Sequence, residues 1–221
     1  MAFIVAIDGP AGSGKGTITK LVGEKLNLVN VDTGAMYRCV SLYMLRNNIE
    51  LTDLDAIKDL LGKIKIEQKR INDTDRFFLD GEDVSDKIRE KDVNQIVSQV
   101  SHIPIVREAM VKLQREYGKT LNIIMEGRDI GTNVFPNADV KIYLDATPEE
   151  RANRRLKQNK EKGIEMSYEE ILENIKFRDN NDKTSDVAPL KMADDAIYVD
   201  TTTKTIDEVV EEITNIIERK K

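Results

Sequence analysis

The 221-residue sequence contains no tryptophan, one cysteine and one histidine. The single thiol, Cys39, cannot close an intramolecular disulfide, and without a partner at metal-binding spacing it fits a reducing compartment. No apolar run approaches the ~20 residues that a membrane-spanning helix needs. The segment before Asp8 also lacks the basic lead and the long apolar stretch of a secretion signal. We therefore expect a cytoplasmic protein without a membrane partner.

An excess of positive charge is missing as well, since the formal net charge is −6. Proteins that coat nucleic acid or anionic membranes depend on surplus lysine and arginine, so we expect no nucleic-acid partner. The basic residues are concentrated in two segments, 151–162 and 176–183, where a local anion site can still form. Apolar residues make up 40% of the chain and charged residues 33%, a balance that predicts one soluble globular domain over 1–221.

Short apolar runs alternate with helical periodicity along most of the chain. Near-continuous apolar strands separated by helices indicate an α/β fold, in which a parallel sheet is covered by helices on both faces. Helix starts are also readable, because a hydroxyl residue is followed three positions later by glutamate. The runs that predict strands are 3–7, 28–31, 121–125, 140–144 and 196–199, and the helix starts are Thr147, Ser167 and Thr205.

One segment, 63–84, breaks this alternation. Ile64 and Ile66 alternate with polar residues, as they would in a half-buried strand. Asp80-Gly81 then separates two further strand-like runs, and this dipeptide is typical of the type I′ turn of a β-hairpin. We therefore predict a small antiparallel insertion between the units of the parallel sheet.

The strongest chemical signal is a glycine-rich loop between the first predicted strand and the first predicted helix. Its backbone amides can converge on one point, and the helix adds its positive amino end, so the loop is suited to bind phosphate. Lys15 would reach the β- and γ-phosphates of a nucleotide, and Thr17 would offer a hydroxyl to phosphate or to hydrated Mg²⁺. The loop reads Gly9-Pro10-Ala11-Gly12-Ser13-Gly14-Lys15-Gly16-Thr17, with Gly16 where Ser or Thr usually follows the lysine.

This motif alone leaves a GTPase, an ATPase motor and a kinase open. A guanine-reading Asn-Lys-x-Asp is absent, because Asn159-Lys160 is followed by Glu161 and Lys162. A motor usually needs a larger partner surface or a second domain. The short chain, the Gly-Lys-Gly-Thr variant and a late pair of basic helices favour a nucleoside monophosphate kinase.

Three further blocks, combined with this loop, resemble the bacterial cytidylate kinases from about Phe3 to the last helix. The resemblance implies a five-stranded parallel sheet, a CMP-binding region over 33–118 with the antiparallel insertion near 63–90, and a helical lid over 151–186. It also implies transfer of the ATP γ-phosphoryl group to CMP or dCMP with Mg²⁺, by a monomer. The blocks are Asp32-Thr33-Gly34-Ala35-Met36-Tyr37-Arg38, Gly127-Arg128-Asp129-Ile130-Gly131-Thr132, and Arg178-Asp179 followed by Ala188-Pro189-Leu190.

The same resemblance implies roles for individual residues. Lys15, Arg128 and Arg154 are the expected catalytic cations, and Arg154 and the loop residues 9–17 are expected to bind ATP. Glu126 stands where relatives commonly carry Asp, and we expect it to orient a water on Mg²⁺. The residues implied for the acceptor nucleotide are Thr33 and Arg38 for its phosphate, Arg128 as a phosphate clamp, Asp129 with Ser98 and Arg107 for cytosine, and Arg178 and Asp182 for the pentose and acceptor side.

The basic helical segments are expected to act as a lid. Arg151, Arg154 and Arg155 share one helix face, and mobile cations that enter on closure would suit phosphoryl transfer. Ser185 stands where relatives usually carry a further arginine, and we expect Lys183 to compensate only in part. Two alternatives stay open: a kinase acting on UMP or AMP, and a regulator that binds nucleotide without turnover.

Overall fold

Eight strands form two separate sheets in the computed structural model, which describes residues 2–72, 74–161 and 163–221. The larger sheet has five strands in the order β2-β6-β1-β7-β8, and the smaller has the order β3-β4-β5. The predicted five-stranded parallel sheet is confirmed, with every predicted strand within two residues of its position. The strands are β1 (Ile4–Asp8), β2 (Val29–Asp32), β3 (Ile66–Ile71), β4 (Thr74–Leu79), β5 (Glu82–Asp83), β6 (Ile123–Gly127), β7 (Val140–Asp145) and β8 (Ile197–Asp200).

Strand β1 lies at the centre of the large sheet because its side chains are apolar on both faces. Val5, Ala6 and Ile7 are fully buried, and β1 pairs in parallel with β6 on one side and β7 on the other. Helices α1 (Lys15–Leu26) and α8 (Ile206–Glu218) contribute to the same core. Full burial of each large aliphatic side chain stabilises the fold by roughly 1.5–3 kcal/mol.

The three helices after β7 begin at the predicted residues. Helix α6 (Pro148–Glu161) begins after Thr147, whose hydroxyl accepts from Glu150 N at 3.3 Å. Helix α7 (Tyr168–Thr184) and α8 begin with reciprocal capping boxes at Ser167 and Thr205. Past the end of α6, Gly163 takes a positive φ of 67°, as expected for a helix-terminating glycine.

The chain divides into two compact units, one formed by Met1–Asn30 with Tyr117–Lys221 and the other by Val31–Glu116. The second unit contains β3, β4 and β5 together with helices α2 (Thr33–Arg46), α3 (Leu54–Leu61), α4 (Lys91–Ser101) and α5 (Pro104–Tyr117). Strands β4 and β5 pair antiparallel across Asp80 and Gly81, whose φ angles of 52° and 86° fit the predicted type I′ turn. The antiparallel insertion is therefore confirmed. Within the described ranges, no helix combines the length and apolar character needed to cross a membrane.

Candidate active site

The glycine-rich loop leaves β1 after Asp8 and enters α1 at Lys15. Gly12 and Gly14 have φ angles of 81° and 94°, a region that residues with a Cβ rarely adopt. At Gly9 a Cβ would lie 2.0 Å from the carbonyl oxygen of Leu144, so no other residue fits there. The loop thus has the strand-loop-helix placement that a phosphate-binding loop requires.

Lys15 lies inside this loop with only 5% of its surface exposed. Its Nζ donates to the carbonyl oxygens of Gly9 and Pro10, each at 2.7 Å, and to Ser13 Oγ at 3.3 Å. Burial and then repulsion from Arg128 lower the pKa of Lys15 to about 7, against the attraction of nearby carboxylates. A bound phosphate would supply negative charge at this ammonium group and favour its protonated form.

Arg154 also lies against the loop, held by the residue that follows β8. Its guanidinium donates to the Thr201 carbonyl oxygen at 2.6 Å and to Thr201 Oγ1 at 3.0 Å. A longer contact of 3.5 Å joins Arg154 Nη1 to the carbonyl oxygen of Ser13. The structure therefore places Arg154 beside the phosphate-binding loop, and its contact with ATP stays a prediction.

Arg151 has a different environment from Arg154, although both lie on α6. Its side chain is 2% exposed and donates to the carbonyl oxygens of Ala146 and Ala11 at 2.9 and 3.1 Å. Both carboxylate oxygens of Asp179 on α7 accept from Arg151, at 2.9 and 2.5 Å. These bonds occupy four of the five guanidinium N–H groups. Arg151 is therefore buried and paired in this structure, and its role as a mobile lid cation stays a prediction.

A cluster of positive charge lies at the carboxyl edge of the large sheet. Arg128 follows β6 and donates from Nε to Asp182 on α7 at 2.8 Å. Arg178 precedes Asp182 by one helical turn. Desolvation by the surrounding protein, followed by repulsion from Arg128 and Arg155, lowers the pKa of Arg178, although part of its side chain is exposed. Several cations gathered at one place mark a place where an anion is favoured.

Two acidic residues on either side of Arg128 also reach this edge. Asp129 is buried, and its Oδ2 accepts from Asn133 Nδ2 at 2.9 Å. The Glu126 carboxylate lies over the start of α1, where a Cβ on Gly16 would come within 3.1 Å of Oε1. A glycine directly after Lys15 therefore leaves room for the end of the long Glu126 side chain.

The donor set at the start of α1 fits a magnesium ion carried by a nucleotide. Thr17 is exposed in the first turn of the helix, close to the residue that Glu126 overlies. No group of three or more His, Cys, Asp or Glu side chains able to hold a metal occurs among the described residues. Mg²⁺ bound to phosphates typically takes one or two protein oxygen ligands and keeps several waters.

The second unit holds the remaining residues expected to bind the acceptor. Thr33 is buried in the first turn of α2, and Arg38 on the same helix donates to Asn94 Oδ1 on α4 and to the Ile88 carbonyl oxygen at 3.4 Å. The Arg107 guanidinium on α5 lies 6.0 Å from the ring centroid of Tyr37 on α2. Ser98 lies on α4. Arg107 on α5 therefore lies beside α2, the helix that carries Arg38, within one unit. The substrate-binding roles of all four residues stay predictions.

Three residues near the loop were not among the expected site residues. They are Asp8, at the end of β1; Asp179, the partner of Arg151; and Thr201, which orients Arg154. Asp8 and Thr201 have a visible signal, since Asp8 directly follows the apolar run 3–7 and Thr201 comes two residues after the run 196–199, at the sheet edge where ligands bind. Asp179 belongs to the Arg178-Asp179 block that carries the resemblance, but nothing in the sequence shows that it pairs with Arg151.

The fold and the site define a kinase of the phosphate-loop class, with the nucleotide-binding loop at the carboxyl edge of a five-stranded parallel sheet. A model of the cytidylate kinase family matches residues 5–219. The chain belongs to the cytidylate kinase family.

Curated relatives match nearly the whole chain. It is 51% identical over 219 residues to the cytidylate kinase of Fusobacterium nucleatum, covering 99% of each protein. Its identity to the cytidylate kinase of Caldicellulosiruptor bescii is 49%, covering 95% of this chain and 92% of the relative. The cytidylate kinase of Bacillus subtilis is 43% identical, at 98% and 96% coverage.

Solved structures of low sequence identity share the fold alone. An uncharacterized protein from Eubacterium ventriosum superposes with a TM-score of 0.52 at 12% identity, covering 98% of both chains. A gluconokinase from Sinorhizobium meliloti gives a TM-score of 0.51 at 12% identity, covering 99% of this chain and 92% of the other. The architecture is therefore shared with kinases that act on other small molecules.

Proposed function

We propose that this protein transfers the γ-phosphoryl group of ATP to CMP or dCMP, which gives ADP and CDP or dCDP. The observation that carries the proposal is the cation cluster at the glycine-rich loop. Lys15, Arg128 and Arg178 are close enough for Arg128 to lower the pKa of the other two. Phosphoryl transfer places several negative charges at one point, and this cluster supplies the opposite charge.

The loop and Lys15 form the ATP side of the proposed site. Backbone amides of residues 9–17 would surround the β-phosphate, and Lys15 would donate to the β- and γ-phosphates. To do so, Lys15 exchanges its hydrogen bonds to the Gly9 and Pro10 carbonyl oxygens for bonds to charged phosphate oxygens, which are stronger. Arg154 lies next to Ser13 and would neutralise charge on the transferring group.

A divalent ion would be held at the start of α1 by the nucleotide together with Thr17 and, through water, Glu126. When bound, such an ion neutralises charge on the β- and γ-phosphates. The acceptor phosphate is already anionic near neutral pH, so the chain needs no strong general base. Its residues position the two phosphates and stabilise the charge between them.

Arg128 and Asp129 would bind the acceptor from the turn after β6. Arg128 would clamp the acceptor phosphate with its planar guanidinium, a geometry that lysine cannot offer. Asp129 would accept from the exocyclic amine of cytosine. Uracil presents a carbonyl oxygen at that point, which would face a carboxylate without a hydrogen between them. Thr33, Arg38, Ser98 and Arg107 of the second unit are proposed to bind the same substrate, and Arg178 and Asp182 to bind on its pentose side.

The lid over 151–186, the CMP-binding region over 33–118 and a monomeric state belong to the same proposal. They are supported by the resemblance of the motifs and by the family of the relatives. We also expect action in the cytoplasm without nucleic acid or membrane.

A panel of acceptors tests the proposed function. The purified protein is assayed with ATP and Mg²⁺ against CMP, dCMP, UMP and AMP, with ADP release as the common measurement. We expect kcat/KM for CMP or dCMP to exceed that for UMP and AMP by about 100-fold, since a polar site rejects a base that leaves its groups unpaired. Equal or faster turnover of UMP or AMP would instead identify another nucleoside monophosphate kinase. Nucleotide binding without turnover of any acceptor would favour a regulator.

A further inference from the structure

Asp8 is a buried carboxylate that the proposed mechanism does not use. It ends β1 and is 5% exposed. Its Oδ1 accepts from the backbone amide of Ile130 at 2.8 Å, and its Oδ2 accepts from the amide of Gly131 at 2.7 Å. The carboxylate therefore holds a turn that is 122 residues away in the sequence.

These two amides need an external partner because of where they lie. Parallel pairing between β1 and β6 ends at Asp8 and Gly127, and the chain then enters a tight turn over residues 130–134. Within the turn, the amides of Asn133 and Val134 donate back to the Asp129 carbonyl oxygen at 2.9 and 3.2 Å. The amides at the beginning of such a turn have no acceptor inside it, as at the start of a helix. Asp8 supplies both acceptors from the neighbouring strand.

The fit of the turn against Asp8 is close. A Cβ on Gly131 would lie 3.3 Å from Asp8 Oδ2 and 3.1 Å from Lys141 Cδ. Only a residue without a side chain lets the backbone approach the carboxylate without displacing one of these groups. Gly131 and Asp8 are thus matched to each other.

Burying the charged Asp8 carboxylate lowers the stability of the fold, so stability alone does not explain its presence. Burial raises the pKa of Asp8 to about 6, which means that the site disfavours its negative charge relative to water. The charged groups that act on it are Lys15, which attracts it, and Asp129, which repels it. A neutral or apolar contact could join a strand and a turn without this cost. The position of the turn therefore offers a better reason for the carboxylate than the stability of the fold.

We infer that Asp8 is a positioning residue that fixes the turn carrying Arg128 and Asp129 and thereby sets the selectivity of the enzyme for its acceptor. The inference rests on the proposed function. Asp8 acts through the two backbone amides and does not touch the substrate. Since Asp129 comes directly before the anchored amides, release of the turn would move the carboxylate that reads the base. The ATP loop would be less affected, because the Lys15 bonds to Gly9 and Pro10 do not involve the Asp8 side chain.

The substitution Asp8→Asn tests this role with little change of shape. The amide can accept only one of the two N–H groups, and its own N–H₂ opposes the other. We expect KM for CMP to rise about tenfold, the factor that corresponds to one lost charge-assisted hydrogen bond. The CMP-to-UMP ratio of kcat/KM should fall about fivefold or more. Asp8→Asn also removes a charge that acts on Lys15, so KM for ATP is compared in Gly131→Ala, which keeps that charge and should leave KM for ATP within about twofold of wild type.

Asp139→Asn is the matched control. Its Oδ2 accepts from the amide of Ile4 at 2.7 Å, so it is a second carboxylate that holds β1 through a backbone amide. This contact lies at the other end of β1, ~13 Å from Asp8 at the usual rise of a strand. We expect Asp139→Asn to lower the melting temperature without changing the CMP-to-UMP ratio.

Gly131→Ala provides a second route if Asp8→Asn does not fold. It keeps the charge and pushes the turn away from Asp8, so it should produce the same selective rise in KM for CMP. The inference is overturned if Asp8→Asn, or Gly131→Ala where that variant replaces it, retains the wild-type KM and base ratio. It is also overturned if KM rises equally for CMP and ATP in Gly131→Ala, where the Asp8 charge is kept. Failure of the proposed function is separate, because the wild-type enzyme would then not prefer CMP or dCMP in the acceptor panel.

Discussion

Breaking the buried ion pair between α6 and α7 should destabilise the protein far more than breaking an exposed pair between the same helices. Arg151 and Asp179 are 2% and 9% exposed and form two hydrogen bonds with each other. Asp179→Ala removes the carboxylate and leaves the guanidinium buried with only the carbonyl oxygens of Ala146 and Ala11. In the described part of the chain, Asp179 is the only carboxylate that accepts a hydrogen bond from Arg151.

The expected magnitude follows from that burial. Removing one partner of a buried pair costs ~3–5 kcal/mol, whereas an exposed pair contributes ~0–1 kcal/mol. In a chain of this size such a loss lowers the melting temperature by roughly 6–20 °C. The double variant Arg151→Met with Asp179→Leu removes both charges and should recover most of the loss, because apolar side chains can replace a buried pair without desolvating a charge.

Thermal unfolding of wild type, Asp179→Ala and the double variant measures this coupling. Lys176 and Glu149 give the control, since their charged groups join the same two helices at 3.9 Å while 58% and 56% exposed. Lys176→Met should shift the melting temperature by less than about 4 °C. The reasoning is refuted if Asp179→Ala is no more harmful than this control, or if the double variant is as unstable as Asp179→Ala.

Four further outcomes are expected from the site. Lys15→Met should reduce turnover by at least about 100-fold while thermal unfolding stays cooperative, since it removes a charge aimed at phosphate. Burial lowers the Lys15 pKa to about 7, so the free enzyme loses this charge as pH rises through that value. We therefore expect kcat/KM for ATP to fall on the alkaline side of a pH series, and a flat profile would contradict this. Asp129→Ala should reduce the CMP-to-UMP ratio of kcat/KM by about tenfold or more, and an unchanged ratio would mean that another group reads the base. Ser185→Arg should raise kcat/KM for CMP, and Lys183→Ala should lower kcat/KM more in wild type than in the Ser185→Arg variant. If Ser185→Arg does not raise kcat/KM and Lys183→Ala does not lower it, other cations suffice.

The parallel sheet could be predicted from the sequence because its strands are buried on both faces. The run Val5–Ile7 contains no polar residue that could face solvent, and all three of its side chains are fully buried. The hairpin at Asp80-Gly81 was equally readable, because two successive positive φ angles restrict the choice of residue. The strand order β2-β6-β1-β7-β8 was not specified by these patterns. It depends on pairing between segments more than a hundred residues apart, such as Ile4 with Ile123.

The candidate site was predictable only where its chemistry is local. The glycine-rich loop carries its own conformational requirements within nine consecutive positions, so its glycines could be recognised and their φ angles explained. Arg151 and Arg154 show the limit of such reasoning. Their spacing correctly places them on one side of α6, but it does not tell that Asp179 buries the first while Thr201 holds the second. Those partners lie on other elements.

Arg128 is both the ion-pair partner of Asp182 and the proposed clamp for the acceptor phosphate. Its Nε donates to Asp182, which ties the end of β6 to α7. The same guanidinium is proposed to clamp the acceptor phosphate, whose charge makes it a stronger acceptor than a single carboxylate. Asp182 accepts only from Nε, so the Nη groups of Arg128 can donate to a phosphate while this ion pair persists. The ion pair also fixes the plane of the guanidinium. Asp182 on α7 therefore helps to orient the proposed phosphate clamp, although the two residues are 54 positions apart in the sequence.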